Sequence, residues 1–404
     1  MRKLCLFLLI IQASFANPLQ NAIDSASPGD IIELGDAKYV GNIVINKAIT
    51  IDGKNRAVIQ GEGKGDVIKI ISSNVSLLNL NIQGSGDSHT TIDSAISCDQ
   101  ANEISIIGNH ISDSLFGINF KQCNASVIKD NFITSKDVDL GLRGDAIRLW
   151  YSHDNLVQSN HIQKSRDMVI WYSSNNIIRK NYGEYGRYSL HFMYAGKNLV
   201  EENVFKYNSV GIFFMFSSGS LVKNNQVLSS TGAFGVGIGM KDTSDFVIQN
   251  NILSYNARGL YLDQSPFQPG TINKFENNQI LYNTVGVQFH ATQHKSIFLE
   301  NDFIGNMEVA INDTPGSKIA KNEWSKNYFD DYEGFDRNKD GIGDLPYQNY
   351  TYLDSLWQYH PNLRFFYGSS IISILNFIAR LAPFSNPELL ITDENPRIKR
   401  AYYE

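Results

Sequence analysis

Between residues 143 and 290 the sequence carries side chains with the chemistry of a soft-metal site. His191 and Met193 stand two apart in Ser-Leu-His-Phe-Met (189–193), and Met215 ends Gly-Ile-Phe-Phe-Met (211–215). A thioether sulfur favours Cu(I), and an imidazole also suits copper. Three such ligands hold one ion only if the chain lays them side by side. What the residues require, therefore, is an element that brings positions about 22 apart into contact.

Six segments align in a way that supplies it: 117–121, 146–150, 167–171, 189–193, 211–215 and 237–241. Their second and fourth members are nearly always apolar, so these point into a core and the third and fifth point outward. The fifth members read Lys121, Trp150, Trp171, Met193, Met215 and Lys241, with Asp263 and His290 next; the third include Arg148, His191 and Phe213. Stacked as neighbouring strands about 4.8 Å apart, they form one outward stripe. His191, Met193 and Met215 are the candidate copper ligands on it. Arg148, Trp150, Trp171, Asp263 and His290 frame a partner-docking surface. Met168 and Met240 fall in inward columns and read as core.

Two other readings compete. Exposed tryptophans can stack sugar rings, and Asp145 and Asp167 near Arg148 leave open a carbohydrate-active enzyme, a lyase or epimerase. Glycoside hydrolysis would need paired carboxylates flanking the bond, where this stripe offers methionines and a histidine. The stripe could also be a metal-free protein interface. Arg143, Arg166 and Arg187 near Asp145 and Asp167 read first as ion pairs at turns.

A second metal motif stands near the C-terminus. Asp336, Asn338, Asp340 and Asp344 occupy positions 1, 3, 5 and 9 of a loop with Gly341 at position 6, the front half of an EF-hand calcium loop. Position 12 is Tyr347, so the usual bidentate glutamate is missing. Structural calcium is possible there, and an Asx-rich turn without metal is the alternative.

The element that positions the stripe is a repeat. An apolar pair, two polar residues, Asn and an apolar residue recur at Asn109, Asn131, Asn160, Asn181, Asn203, Asn225, Asn251, Asn278, Asn301 and Asn322. Short alternating apolar runs between Asn, Ser and Gly turns are strands. A single coil cannot bury its apolar face, but a stack can. The expected fold is all-β: a right-handed parallel β-helix of about ten coils over residues 17–326, with a C-terminal cap over 327–404. The recurring Asn fits an inward amide ladder.

Acidic residues outnumber basic ones, 41 to 35, with no basic run, so nucleic acid is not an expected partner. Arg2, Lys3, the apolar Leu4–Ile11 run, Ser14 and Ala16 read as a secretory signal over residues 1–16. Cys98 and Cys123 then remain; the repeat register does not place them side by side, and they are expected to be free, buried thiols. Ser370–Leu381 is apolar at helical spacing but too short to span a bilayer.

RGDAIRLWYS (143–152), SRDMVIWYSSNN (165–176), GRYSLHFMYA (186–195), GIFFMFS (211–217), GLYLDQSPFQPGT (259–271), NYFDDYEGFDRNKDGIGDLPY (327–347) and LAPFSNPELL (381–390) resemble the NosD family. The resemblance implies a periplasmic, non-catalytic protein that helps assemble the copper–sulfide centre of nitrous oxide reductase. It further implies an ABC transporter partner of the NosF/NosY type at the inner membrane, and a NosL-type copper chaperone as donor. It supplies no ligand motif; the copper residues rest on the outward columns alone.

Overall fold

The computed structural model describes residues 17–231, 234–351, 362, 366, 369–381 and 388–401. The expected leader, residues 1–16, lies outside the described residues. Three parallel sheets of 15, 13 and 12 strands run the length of the chain, each strand bonded to its counterpart in the next coil. Most strands are three to six residues long, as in 177–179, 182–184 and 188–193. The result is a parallel β-solenoid, one strand per sheet per coil.

The amide ladder holds its turns. Asn203 Oδ1 accepts from both the backbone N–H and Nδ2 of Asn181, each at 3.0 Å. Asn203 Nδ2 donates to Ile178 O and to Asn225 Oδ1, both at 2.9 Å. The same links run from Asn109 through Asn131, Asn160, Asn181, Asn203, Asn225, Asn251, Asn278 and Asn301 to Asn327. Asn327 passes the chain of bonds to Asp393 at 2.9 Å. The last rung is therefore Asn327, not Asn322; Asn322 instead accepts from the Ser296 backbone at another turn. A second ladder joins Asn155, Asn176 and Asn198, and a third Asn256, Asn283 and Asn306.

The solenoid also starts earlier than the asparagines suggest. Strands 50–52, 58–60 and 68–70 already pair with the coil above. There the register puts Ala57 and Leu80 at the place of Asn109, both buried, so apolar packing replaces the amide rung. The N-terminal end is closed by the helix Pro18–Ser25, which buries Leu19 and Ile23 and is capped by the Asn17 side chain. At the other end Phe298, Trp324, Phe329 and Tyr347 stack, and strand Glu388–Asp393 joins the sheet with Tyr347–Thr351 antiparallel beside it.

Cys98 and Cys123 are not free thiols. They form a disulfide with Cα atoms 6.5 Å apart. Cys98 sits opposite Phe120, and Cys123 lies at the turn three residues further on. The chain bends inward there, so the sulfurs meet diagonally inside the coil although their columns do not align.

Removing one rung should be costly, because it orphans buried groups in two neighbouring coils. Asn203→Ala is expected to lower stability by about 2–4 kcal/mol, read from urea unfolding. A loss below about 0.5 kcal/mol would show that the ladder contributes little.

Candidate functional site

The 12-stranded sheet carries the stripe. Its register runs Lys121, Trp150, Trp171, Met193, Met215, Lys241, Asp263, His290, each opposite the next. The neighbouring outward column runs Asn119, Arg148, Val169, His191, Phe213, Gly239, Tyr261, Gln288 in the same register. Inward members such as Leu149, Ile170, Phe192 and Phe214 are fully buried. Met168 and Met240 are in the core.

His191 and Met193 line one cavity of about 330 Å³, together with Arg148, Trp171 and the Asp145, Asp167, Arg166 and Arg187 cluster. His191 Nε2 is buried and, among the described residues, has no hydrogen-bond partner. Burial holds its pKa below the ordinary imidazole range, Asp167 opposing the shift and Arg187 and Arg166 reinforcing it. The ring stacks on Tyr188 at 4.7 Å. A neutral imidazole with a free nitrogen, two residues from a thioether, is a soft donor pair. Met215 does not line this cavity. It sits opposite Met193 and packs on Val210, Phe213 and Val236. The Cβ of any side chain at position 239 would come 2.3 Å from the Phe213 ring, so Gly239 is what lets that ring lie flat over the next coil.

The charged cluster is internally matched in part. Arg166 Nε and Nη2 donate to Asp145 at 3.1 and 3.0 Å. Arg187 donates to both oxygens of Asp167, with Nε at 3.0 Å from Oδ1, and Asp167 Oδ1 also accepts from the Tyr188 backbone. Burial pushes the Asp145 carboxyl up to about 6, although Arg166 works against the shift; Asp167 adds to it. The two carboxylates considered for sugar chemistry are thus occupied by arginines.

Trp150 and Trp171 flank Arg148, whose guanidinium lies 6.0 and 5.8 Å from their rings. Asp263 and His290, further along the stripe, are engaged within the molecule. Asp263 pairs with Lys241 at 3.4 Å, and His290 Nδ1 lies 2.7 Å from Asp313. One wall of the cavity had no signal in the alternation: His89, Ile92 and Phe116 come from earlier coils. His89 Nε2 lies 3.0 Å from Leu142 O, joining the loop before Asp93 to the segment after Ser135. The only hint was the unusually long interval between Asn131 and Asn160.

In the 336–344 loop the carboxylates serve their own backbone. Asp336 accepts from the N–H groups of Lys339, Asp340 and Gly341, Asp340 from that of Ile342, and Asp344 from that of Arg337. Asn338 accepts from the Asp340 backbone and donates to its side chain. These bonds give the loop the backbone of an Asx-rich turn. Among the described residues, no group of three or more His, Cys, Asp or Glu side chains converges as a metal cage.

Asp145 gives the site a pH signature. The folded carboxyl keeps its proton to about pH 6, whereas the unfolded one releases it near 3.8, so between them the folded state binds more protons. Stability therefore falls as pH rises through that window, by on the order of 3 kcal/mol. Asp145→Asn, neutral throughout, is expected to lack this decline in urea unfolding at a series of pH values. A parallel decline in both proteins would assign it elsewhere.

Residues 130–334 match the family model described as periplasmic copper-binding protein (NosD). A protein of Pseudomonas aeruginosa named probable ABC transporter binding protein NosD is 31% identical over 94% of this chain and 91% of its own length. A Stutzerimonas stutzeri protein of the same name is 30% identical over 31% of this chain and 29% of its own. Among solved structures, a Streptomyces thermodiastaticus α-1,3-glucanase catalytic unit is similar with a TM-score of 0.53 at 13% identity, covering 76% of this chain and 63% of that one. The Azotobacter vinelandii mannuronan C-5 epimerase AlgE6 A-module reaches 0.51 at 13% identity, covering 76% and 93%. At such identities these two show a shared fold.

Proposed function

The chain belongs to the NosD family of periplasmic copper-binding proteins, and from that premise we propose that it carries Cu(I) for assembly of the copper–sulfide centre of nitrous oxide reductase. In this reading copper is cargo, received from a NosL-type chaperone. A NosF/NosY-type ABC transporter is the membrane partner, and the protein itself is not a catalyst. The observation that carries the copper assignment is the buried, unpartnered Nε2 of a neutral His191 beside Met193. Met215, one coil on, would complete the set by turning from its apolar neighbours towards Met193. Trp150, Trp171 and Arg148 would form the rim that meets a protein partner.

Transporter docking is best supported at the helix Ser370–Leu381. Its residues Ile371, Ile374, Leu375, Phe377, Ile378 and Leu381 are 42–70% exposed. Twelve residues make a helix of about 18 Å, short of a bilayer, and no described helix is long and apolar enough to cross a membrane. An apolar face of this extent on a monomer marks a contact site. Phe377→Asp with Leu381→Asp is expected to abolish co-purification with the transporter while leaving copper binding intact. Retained co-purification would move the docking surface elsewhere.

Anaerobic Cu(I) titration against a competing chelator tests the cargo. The native protein is expected to bind at least tenfold more tightly than the His191→Ala/Met193→Ala/Met215→Ala variant, each lost ligand being worth a substantial part of the affinity. Because the His191 pKa lies below the ordinary 6.5, affinity should hold steady down to that pH and fall only below it, as protons compete for Nε2. Equal binding by both proteins would remove this site, leaving the stripe as a metal-free interface. Cleavage of a polysaccharide by the native protein would overturn the non-catalytic assignment.

A further inference from the structure

Of the three arginines lining the His191 cavity, Arg166 and Arg187 are each held by a buried aspartate, and Arg148 is not. Among the described residues no carboxylate stands within 4 Å of its guanidinium. Its one hydrogen bond is Nη1 to Asn119 Oδ1 at 3.1 Å. Its sides are covered by Trp150 and Trp171, which remove water from a cation without neutralising it. Burial accordingly pulls its pKa down.

Arg148 also lies where two cavities meet. It lines the one of about 330 Å³ and a second of about 400 Å³ that holds Lys69, Lys121, Asp66, Asp99 and Asn119. Lys121 is only loosely paired, 3.7 Å from Asp99. Asp66 is pushed towards its neutral form by burial, although Ser97 and Ser94 donate to it. Apart from Arg148, the first cavity holds two arginines against two aspartates and the second two lysines against two aspartates. Arg148 is thus the cation left over where the two cavities meet. A half-buried guanidinium with most of its donors unmet is costly unless something accepts from it.

We propose that Arg148, between Trp150 and Trp171 at the junction of the two cavities, binds the oxyanion head group of a small ligand. The guanidinium offers paired N–H donors to two oxygens at once, the geometry that suits carboxylates and tetrahedral oxyanions. Asn119 orients it from one side and the indoles from the other two. Lys121 supplies further positive charge from the next coil, and the two cavities give room for the body of the ligand on either side. This inference does not rest on the copper reading; absence of copper binding would leave it standing.

The test titrates the mature protein with acetate, sulfate and glucuronate at constant ionic strength, balanced with chloride. Tryptophan emission and calorimetry are the readouts, because two indoles border the guanidinium. A saturable response to at least one probe is expected. Acetate alone would indicate a simple carboxylate, sulfate alone a tetrahedral oxyanion, and glucuronate alone a sugar acid. Arg148→Gln should weaken the bound probe by about tenfold or more, while Arg143→Gln, outside both cavities, should leave it unchanged. If Arg148→Gln does not give a cooperative melt, Arg148→Lys serves: it keeps the charge but loses the fork, and binding should still weaken at least threefold. No saturable response up to about 50 mM, far weaker than millimolar affinity, would overturn the proposal. So would equal affinity in the native protein and the Arg148 variant.

Discussion

Each asparagine rung is a closed set of hydrogen bonds. At Asn160 the side-chain oxygen takes two bonds from Asn131, at 3.1 and 2.9 Å, and the side-chain nitrogen gives one to Ile128 O and one to Asn181. All four groups are buried. A slip of one residue in any coil would leave them without partners and turn that coil's apolar residues to solvent. The ladder therefore sets the register of the coils from Asn109 to Asn327 against one another. It is register, rather than any single contact, that lines up the outward columns.

With register set, the outward face of the 12-stranded sheet becomes a surface whose chemistry can be read column by column. Side chains there are rigid because their strands are held on both sides, and close because coils repeat at the strand spacing. That closeness creates the electrostatic problem of the site. Arginines and aspartates at successive turns, Asp145 with Arg166 and Asp167 with Arg187, pair one coil apart. Each pair offsets part of the cost of burying the other members of the cluster. What remains inside the cavity is a neutral imidazole, a thioether, one indole and a guanidinium that, among the described residues, has no carboxylate within 4 Å.

Much of this was legible in the sequence because alternation and repeat act locally. The columns through Trp150, Trp171, Met193 and Met215, and the inward placement of Met168 and Met240, follow from a period of two and one anchor per coil. What was not legible depends on where a coil departs from its repeat. Ala57 and Leu80 take the rung position with apolar packing, so the asparagine phrase misses those coils. Asn322 matched the phrase but sits at another turn, the rung having moved to Asn327. The Cys98–Cys123 bond forms on a diagonal at a bend, which column alignment cannot show. The wall takes His89 and Ile92 from a loop with no repeat to read, and Phe116 from the start of a strand, one residue before the aligned segment.

The same limits bear on which chemistry the face supports. Alternation places His191, Met193 and Met215 on one outward face, but it says nothing of what each side chain leans against. Phe213, over Gly239, draws Met215 into a small apolar cluster, whereas His191 and Met193 open into the cavity. Of the aspartates that a sugar-cleaving groove would use, Asp167 has both oxygens held by Arg187 and Asp145 has its Oδ1 held by Arg166, and the proton on Asp145 is governed by burial with Arg166 opposing. The wall matches its acids internally and leaves His191, Met193 and Arg148 without a charged partner among the described residues.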